Sequence, residues 1–224
     1  SELIQLFEWA FIKIPNITIQ PLSQHFPGYD HWTTFVSLPW ALGLDDEAIV
    51  NCPHIDPKIG AGRKDWRVPN RKLHIGIAWS GSELNMINQH RSIPLVQFLD
   101  LYRCPSIQLY SLQVDKKKQD LIDWGVAPVV RDLSGYIGGV DSTVGIMKNL
   151  DLVISCESAC AHIAALADVE CWVPYAKNGK DFRIGIDGTK AIWTPKTKYW
   201  LQETAGAWKP VFDFMVVELK ERVK

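Results

Sequence analysis

The sequence has almost no excess charge of either sign and no long hydrophobic run. Its 24 basic and 25 acidic residues give a formal net charge of −1, so no overall positive field favours nucleic acid or an anionic membrane. The longest apolar stretches, such as 159–167, fall well short of the roughly 20 residues that span a bilayer. The first residues also lack the basic and apolar regions of a secretory signal. We therefore expect a cytoplasmic protein with no transmembrane segment and no nucleic-acid partner, whose natural start lies upstream of Ser1.

Cysteine is also scarce, and the five thiols are scattered along the chain. An odd number cannot all pair internally, so reduced thiols are the simpler expectation. Cys156, Cys160 and His162 invite a zinc hypothesis, but no second cluster with metal-ligand spacing accompanies them. A nucleophilic pair of Cys156 and His162 lacks a third residue to orient it. The sequence thus predicts neither a metal site nor a disulfide framework.

Several motifs of nucleotide and acyl chemistry are missing. There is no G-x-x-x-x-G-K-[ST] loop, which disfavours a P-loop phosphoryl-transfer enzyme. No G-x-G-x-x-G follows a predicted strand, and no G-x-S-x-G nucleophile elbow occurs. A D-x-D pair of the kind that holds a divalent ion is absent as well. No cofactor is therefore expected, and any anionic ligand must be bound by local groups.

What the sequence does contain, from residue 72 onward, is an alternation of short apolar runs and helical stretches. This alternation is typical of βαβ units and predicts an α/β fold with a Rossmann-like parallel sheet. The overall content of 47% hydrophobic and 22% charged residues fits such a globular domain. The predicted strands are 72–79, 106–112, 127–130, 151–155 and 170–173. The predicted helices are 94–102, 116–124, 141–150 (capped by Asp141 or Ser142), 158–167 and 210–223.

The first 70 residues follow a different pattern. Residues 17–22 are a candidate strand and 33–38 a candidate extended segment, but frequent prolines break every longer pattern. Residues 51–70, which contain two glycines and three prolines, are interpreted as an interdomain linker. Residues 1–50 are too short for a Rossmann-like domain, so we expect a partial N-terminal domain. The final helix is expected to pack back on that remnant.

Two predicted strand ends carry candidate binding residues, because ligands of open parallel sheets bind beyond the carboxyl ends of the strands. Ser80 and Gly81 follow the first strand, and Arg91 follows them in the same connection. Glycine permits close backbone approach, and a guanidinium suits phosphate oxygens. An ordinary β-to-α loop remains the alternative for these residues.

The second strand end lies at Ser155, where a turn leads into a helix rich in small residues. The first backbone N–H groups of that helix, at Ser158, Ala159 and Cys160, are expected to form an anion site. Glu157 is a candidate acceptor for a ribose or sugar hydroxyl, or else an acid that only complements the helix dipole. His162, one turn further on, is expected to play a supporting or structural role, and the alanines are most simply packing residues.

Six segments of the chain also follow one another in a fixed order: GIAWSGS (76–82), RSIPL (91–95), YSLQ (110–113), DSTVGIMKNLDLVIS (141–155), ESACAHIAAL (157–166) and DFR (181–183). This series resembles the C-terminal half of GT-B glycosyltransferases of the heptosyltransferase (glycosyltransferase family 9) type. The likeness is greatest to the version attached to tetratricopeptide repeats in bacterial proteins. FVSLPWAL (35–42) resembles an S-L-P motif of the same proteins.

The resemblance implies a donor domain at 71–208 that binds a nucleotide-diphosphate sugar, a remnant of an acceptor-side domain at 1–50 and a C-terminal helix at 209–224. The acceptor would be a glycan, a lipid or a protein. Matching positions imply donor-binding roles for Ser80, Gly81, Arg91, Gln113, Glu157, Ser158, Ala159, Cys160 and Arg183. Gln113 would lie near the base or ribose.

The sequence departs from the family pattern at several of these positions. Glu157-Ser158 stands for the family's D-T, and Asp181-Phe182-Arg183-Ile184 stands for D-W-R-W. No catalytic base is identified, since His25, His31 and His54 could equally well be surface residues without a catalytic role. Two alternatives therefore stand beside a glycosyltransferase: a non-catalytic nucleotide- or sugar-binding module, and a structural α/β domain.

Overall fold

A computed structural model describes residues 4, 7–8, 11, 14–21, 28–34, 37–44, 64–83, 88–177, 184, 191 and 194–224. Within these ranges six strands form one parallel sheet in the order β3-β2-β1-β4-β5-β6. The strands are β1 (Leu73–Ala78), β2 (Ile107–Ser111), β3 (Val130–Asp132), β4 (Leu152–Ser155), β5 (Cys171–Tyr175) and β6 (Thr197–Leu201). This order is that of a doubly wound Rossmann-like sheet, and it confirms the predicted fold class.

In the described residues, helices lie before, between and after the strands. They are α1 (Leu38–Ala41), α2 (Asn88–Arg91), α3 (Leu95–Leu99), α4 (Asp120–Asp123), α5 (Val140–Met147), α6 (Ala159–Leu166) and α7 (Lys209–Arg222). In the same part of the chain, 3₁₀ turns lie at Asp100–Arg103, Lys116–Gln119 and Ser134–Tyr136.

Each face of the sheet is covered by its own hydrophobic core. Ile75 and Ile77 of β1 point to one face, where α3, α4 and α7 supply the partners. Tyr110 and Val153 point to the other face, where α5 and α6 pack. Successive side chains of a strand point to opposite faces, so a sheet covered on both sides needs strands that are apolar throughout. This requirement explains why the mostly apolar runs at 72–79 and 151–155 were recognisable as strands.

Gly76 lies in the middle of β1, where two neighbouring leucines leave no room for a side chain. A Cβ atom at this position would lie 2.6 Å from Leu150 Cδ1 and 2.8 Å from Leu112 Cδ1. Distances below 3.0 Å force a neighbour to shift. The missing side chain therefore allows both leucines to pack directly on the β1 backbone.

Three local predictions need correction. The N-cap of α5 is Gly139, not Asp141 or Ser142, although the Ser142 hydroxyl does accept the Gly139 N–H at 2.9 Å. The strand β6 was not predicted, because its alternation of buried, exposed and half-buried residues lacks a continuous apolar run. In the first segment, the described residues 17–21 have no regular structure, and the extended segment at 33–38 gives way to α1 at Leu38.

Within the described residues, the final helix packs onto the sheet. Phe212 is fully buried, and its ring meets that of Phe98 edge-on with centroids 5.0 Å apart. Met215 and Leu219 extend the same buried stripe along α7. The spacing of these residues places them on one helix face, which the sheet core then covers.

Part of the predicted linker is packed on the sheet as well. Trp66 is 1% exposed and contacts Tyr110 edge-on at 5.0 Å. The Tyr110 hydroxyl accepts the Val68 N–H at 2.9 Å and lies 2.7 Å from Nδ1 of the buried His74. Trp66 therefore belongs to the core of the Rossmann-like domain and Val68 packs against it, while 51–63 lie outside the described residues.

The His74–Tyr110 contact predicts a pH-dependent stability. Burial and the Arg67 guanidinium lower the pKa of His74 below its ordinary value, against the opposing pull of Asp151. The unfolded chain therefore takes up the proton first as the pH falls, so the stabilisation is complete above pH of about 6.5 and is lost toward the lower folded pKa. We expect the free energy of unfolding, measured with urea, to fall between about pH 7.5 and about pH 5.

His74→Asn is the matched variant, because the Asn oxygen can accept the Tyr110 proton without titrating. The difference in unfolding free energy between wild type and variant should shrink as the pH falls. A pH-independent difference would show that His74 does not titrate in this range.

Candidate functional site

A cleft of about 630 Å³ opens at the carboxyl ends of β1, β2 and β4. In this strand order β1 is followed by β2 on one side and β4 on the other, so the cleft lies where the direction of winding reverses. Such switch points are where open parallel sheets bind their ligands. Residues from three connections line the cleft: Ala78, Ser80, Gly81, Ser82, Glu83, Arg91, Leu112, Gln113, Val114, Asp115, Lys116, Ser158, Ala159 and Cys160.

The connection after β1 is held in place by Asn88. Its Oδ1 accepts the Gly81 N–H at 3.1 Å and the Arg91 Nε–H at 3.2 Å. Its Nδ2 donates to the Ser80 hydroxyl at 3.3 Å, and that hydroxyl lies 3.1 Å from Ser92 Oγ. The buried Asn88 amide thus holds both the backbone at Gly81 and the Nε end of the Arg91 guanidinium in place.

Arg91 reaches across the sheet edge to the connection after β4. Its Nη1 donates to Glu157 Oε2 at 3.2 Å, with the two side chains 14% and 19% exposed. Arg91, the predicted phosphate-binding cation, therefore contacts Glu157, the predicted acceptor for a ribose or sugar hydroxyl. In this state the guanidinium is paired with a carboxylate of its own chain.

Gln113 lines the cleft, but its amide is fully engaged. Its Oε1 accepts the N–H groups of Trp79 and Ser80, both at 3.1 Å. Its Nε2 donates to the Ser80 carbonyl at 2.9 Å and to Asp115 Oδ1 at 2.8 Å. Two acceptances and two donations saturate a Gln side chain. The Gln113 amide therefore holds the connections after β1 and β2 in position at the cleft.

The start of α6 faces the cleft. Ser158 is the N-cap, and its hydroxyl accepts the Cys160 N–H at 3.3 Å, as a capping serine does. Of the three N–H groups predicted to meet an anion, that of Cys160 is thus already used by the cap. Ala159 is exposed at the cleft, whereas Ala161 and Ala164 are buried against the sheet. The alanine-rich pattern therefore combines one cleft residue with packing residues.

The thiols near the cleft are not activated. Burial raises the pKa of Cys156 and that of Cys160, each to about 12. The thiolate is the reactive and metal-binding form, so neither sulfur is prepared for nucleophilic attack at neutral pH. His162 is half-buried one turn into α6. In the part of the chain that the structure describes, no three His, Cys, Asp or Glu side chains converge on a metal-sized space.

Sequence reasoning missed several residues of this site, among them Asn88, Val114, Asp115 and Lys116, and Arg183 lies outside the described residues. Asn88 and Val114 carry no motif, and their roles depend on contacts that only the fold creates. Asp115 could have been recognised from the sequence, because aspartate is a preferred residue just before the first turn of a helix, here the run that begins at Lys116. Asp115 does cap the 3₁₀ turn by accepting the Lys117 N–H at 2.9 Å, and Lys116 pairs with Glu83 at the rim.

Gly81 offers a direct test of how Arg91 is held. A Cβ atom at Gly81 would lie 2.5 Å from Arg91 Nη2 and 2.8 Å from its Cζ. We expect Gly81→Ala to push the guanidinium off Glu157 while changing the free energy of unfolding by only about 1 kcal/mol. A crystal structure of the variant checks the side-chain position.

Gly135→Ala is the control, because a Cβ at Gly135 would meet nothing within 4 Å. An Arg91 side chain that keeps its bond to Glu157 in Gly81→Ala would contradict the packing described here.

The sheet order defines a Rossmann-like α/β protein, with a cleft at its switch point. Comparison with family models and with curated proteins gave no match. Among solved structures, the chain is similar to E. coli ADP-heptose LPS heptosyltransferase II, with a TM-score of 0.56 and 14% identity. The match covers 77% of this chain and 55% of that chain, so this chain spans about half of that protein. At this identity the similarity establishes the fold.

A search of the described helices found none that is both long and apolar enough to cross a membrane.

Proposed function

We propose that the cleft binds a nucleotide-diphosphate sugar, and that the chain is a glycosyltransferase or the donor-binding portion of one. The observation that carries this proposal is the position of the cleft. The start of α6 and the Arg91 side chain both border it at the switch point between β1 and β4. A helix N-terminus and a guanidinium are the two groups that proteins use most readily for phosphate oxygens.

The chemistry fits the transfer of a sugar from a diphosphate leaving group. Negative charge that develops on the diphosphate would be met by the α6 N-terminus and by Arg91. Glu157 lies at the same edge and offers a carboxylate to a hydroxyl of the ribose or sugar. The residues proposed to border the bound donor are Ser80, Gly81, Arg91, Glu157, Ser158, Ala159 and Cys160, with Gln113 holding the loops. No described residue is assigned as the catalytic base.

The six segments that resemble the heptosyltransferase type support the same proposal, as does the fold shared with a solved heptosyltransferase. We extend the proposal to the finer features of that resemblance. These are a bacterial, cytoplasmic protein of the kind attached to tetratricopeptide repeats, a donor domain at 71–208 and an acceptor-side remnant at 1–50. The acceptor would be a glycan, a lipid or a protein.

A second candidate is a non-catalytic nucleotide- or sugar-binding module. Both candidates bind the same ligand, and only the first consumes it. Hydrolysis or transfer of the sugar in the presence of acceptor mixtures separates them.

A thermal-shift panel of ADP-, UDP- and GDP-sugars tests the donor site itself. At least one member is expected to raise the melting temperature of the chain by a few degrees, because a ligand that binds only the folded state stabilises it. No shift with any member at millimolar concentration would contradict the proposal.

A further inference from the structure

The outer face of α7 carries two exposed apolar side chains. Phe214 is 62% exposed and Val217 is 61% exposed, and because they lie three residues apart they are neighbours on the helix surface. The sheet does not use them, since Phe212, Met215 and Leu219 already form the buried side of the helix. Adjacent exposed apolar side chains are a feature of contact surfaces, whereas single ones need no explanation.

Three cations lie beside this apolar pair, at the C-terminal end of α7. They are Arg71, Lys72 and Lys220, here called the basic group, and all three are exposed. Among the described residues, no carboxylate lies within ion-pair distance of any of them. Lys72 Nζ donates to the Val223 carbonyl, which leaves its charge in place. Lys220 follows Val217 by three residues, so the cation and the apolar side chain are neighbours as well.

The 3₁₀ turn before β2 brings Arg71 and Lys220 near each other. Burial raises the pKa of Tyr102, in this turn, and that of Cys104, just after it. Among the groups that oppose the rise are Arg71 beside Tyr102 and Lys220 beside Cys104. The turn itself packs against α7. The basic group is therefore one cluster, at the junction of β1, this turn and the end of α7.

This side of α7 is positively charged, although the chain as a whole is nearly neutral. In the described part of the chain, six cations face three carboxylates on the outer face of the helix and the residues that adjoin it: Arg71, Lys72, Arg103, Lys209, Lys220 and Lys224 against Asp100, Asp213 and Glu221. On the other side of the helix, Glu170 and Glu218 form ion pairs with cations. The helix dipole favours Lys220 in the last turn, but it does not explain Arg71, which precedes a strand.

We propose that this side of α7 docks on an anionic phospholipid surface, with the basic group at the lipid phosphates and Phe214 and Val217 at the boundary of the acyl chains. Cations beside exposed apolar side chains suit such a surface, whereas duplex DNA is bound through cations and polar groups. Arg71 and Lys72 precede β1, while the cleft opens at the carboxyl ends of the strands. Docking would therefore leave the cleft uncovered, and the inference does not depend on what the cleft binds.

Sedimentation with lipid vesicles tests this surface. The chain is expected to bind vesicles of equal parts phosphatidylglycerol and phosphatidylcholine at low salt, to be largely released at about 0.5 M sodium chloride, and not to bind pure phosphatidylcholine. A basic residue near an anionic membrane strengthens binding about fivefold, so Arg71→Gln combined with Lys220→Gln should weaken it about 25-fold. Phe214→Ala should weaken it about fivefold through lost apolar burial.

Two variants are matched controls. Lys117→Gln combined with Lys118→Gln removes the same charge from the 3₁₀ turn after β2, at the opposite edge of the sheet. Ile122→Ala removes a side chain that is 67% exposed but lies on α4 between Asp120 and Asp123, where an anionic surface is repelled. Neither control should change vesicle binding, and thermal melting of each variant shows that it is folded.

Three results would overturn the inference. The first is a wild type that does not bind the anionic vesicles at low salt. The second is an equal loss of binding in the folded basic-group variant and in the Lys117 and Lys118 control. The third is a DNA duplex that binds as tightly as the vesicles while Phe214→Ala leaves vesicle binding unchanged, which would assign the surface to nucleic acid. None of these results bears on the proposed donor site.

Discussion

Arg91→Ala is expected to weaken binding of the best nucleotide-diphosphate ligand by about tenfold to a hundredfold. A hydrogen bond to a charged group contributes on the order of 1.5–3 kcal/mol, and each 1.4 kcal/mol changes a dissociation constant about tenfold. The variant also leaves Glu157 without the guanidinium, so its carboxylate would repel the diphosphate. Titration calorimetry on wild type and variant measures the ratio of dissociation constants.

Arg103→Ala is the control for this result, because Arg103 forms an exposed ion pair with Asp213 and contributes nothing to the cleft. Its affinity for the same ligand should match that of wild type. If Arg91→Ala binds as tightly as Arg103→Ala, the phosphates do not lie against Arg91 and the site has been misplaced.

Phe212→Ala is expected to lower the free energy of unfolding by about 3–5 kcal/mol, the usual cost of removing a fully buried phenyl ring. Phe212 is 0% exposed and contacts Phe98, so the ring joins α7 to the sheet core. A loss of this size would remove a large part of the stability of an ordinary domain. Urea denaturation followed by tryptophan fluorescence gives the value.

The neighbouring Phe214 supplies the comparison, since it lies on the same helix and is 62% exposed. Phe214→Ala should change the unfolding free energy by no more than about 0.5 kcal/mol. Equal losses in the two variants would show that α7 does not pack on the sheet with the described face.

The positions of β1, β2 and β4 along the chain could be predicted from the sequence because strands that are buried on both sides are mostly apolar. Their observed bounds lie within about a residue or two of the predicted ones. In contrast, β6 lies at the sheet edge and mixes Lys198 with Tyr199 and Trp200, so neither a continuous run nor a clean alternation marks it. The surface on which α7 packs could not be predicted either. An apolar stripe shows that a helix face is covered, but it does not show which element covers it.

The cleft was predicted in outline for a topological reason. The carboxyl ends of parallel strands share one edge, so Gly81 and Ser158 were expected to meet although 77 positions separate Ser158 from Gly81 in the sequence. The contacts within the cleft could not be predicted, because they depend on side-chain geometry. Nothing in the spacing shows that Arg91 donates to Glu157 or that the Gln113 amide is saturated by Ser80 and its neighbours.

A crystal structure of the chain with a stabilising nucleotide-diphosphate sugar tests the central claim most directly. We expect the diphosphate within hydrogen-bond distance of the Ala159 N–H and of the Arg91 guanidinium, with the Arg91–Glu157 bond broken. A hydroxyl of the ribose or sugar should lie against the Glu157 carboxylate. A ligand bound away from the carboxyl ends of β1 and β4, or one bound there with Arg91 still paired to Glu157, would contradict the account.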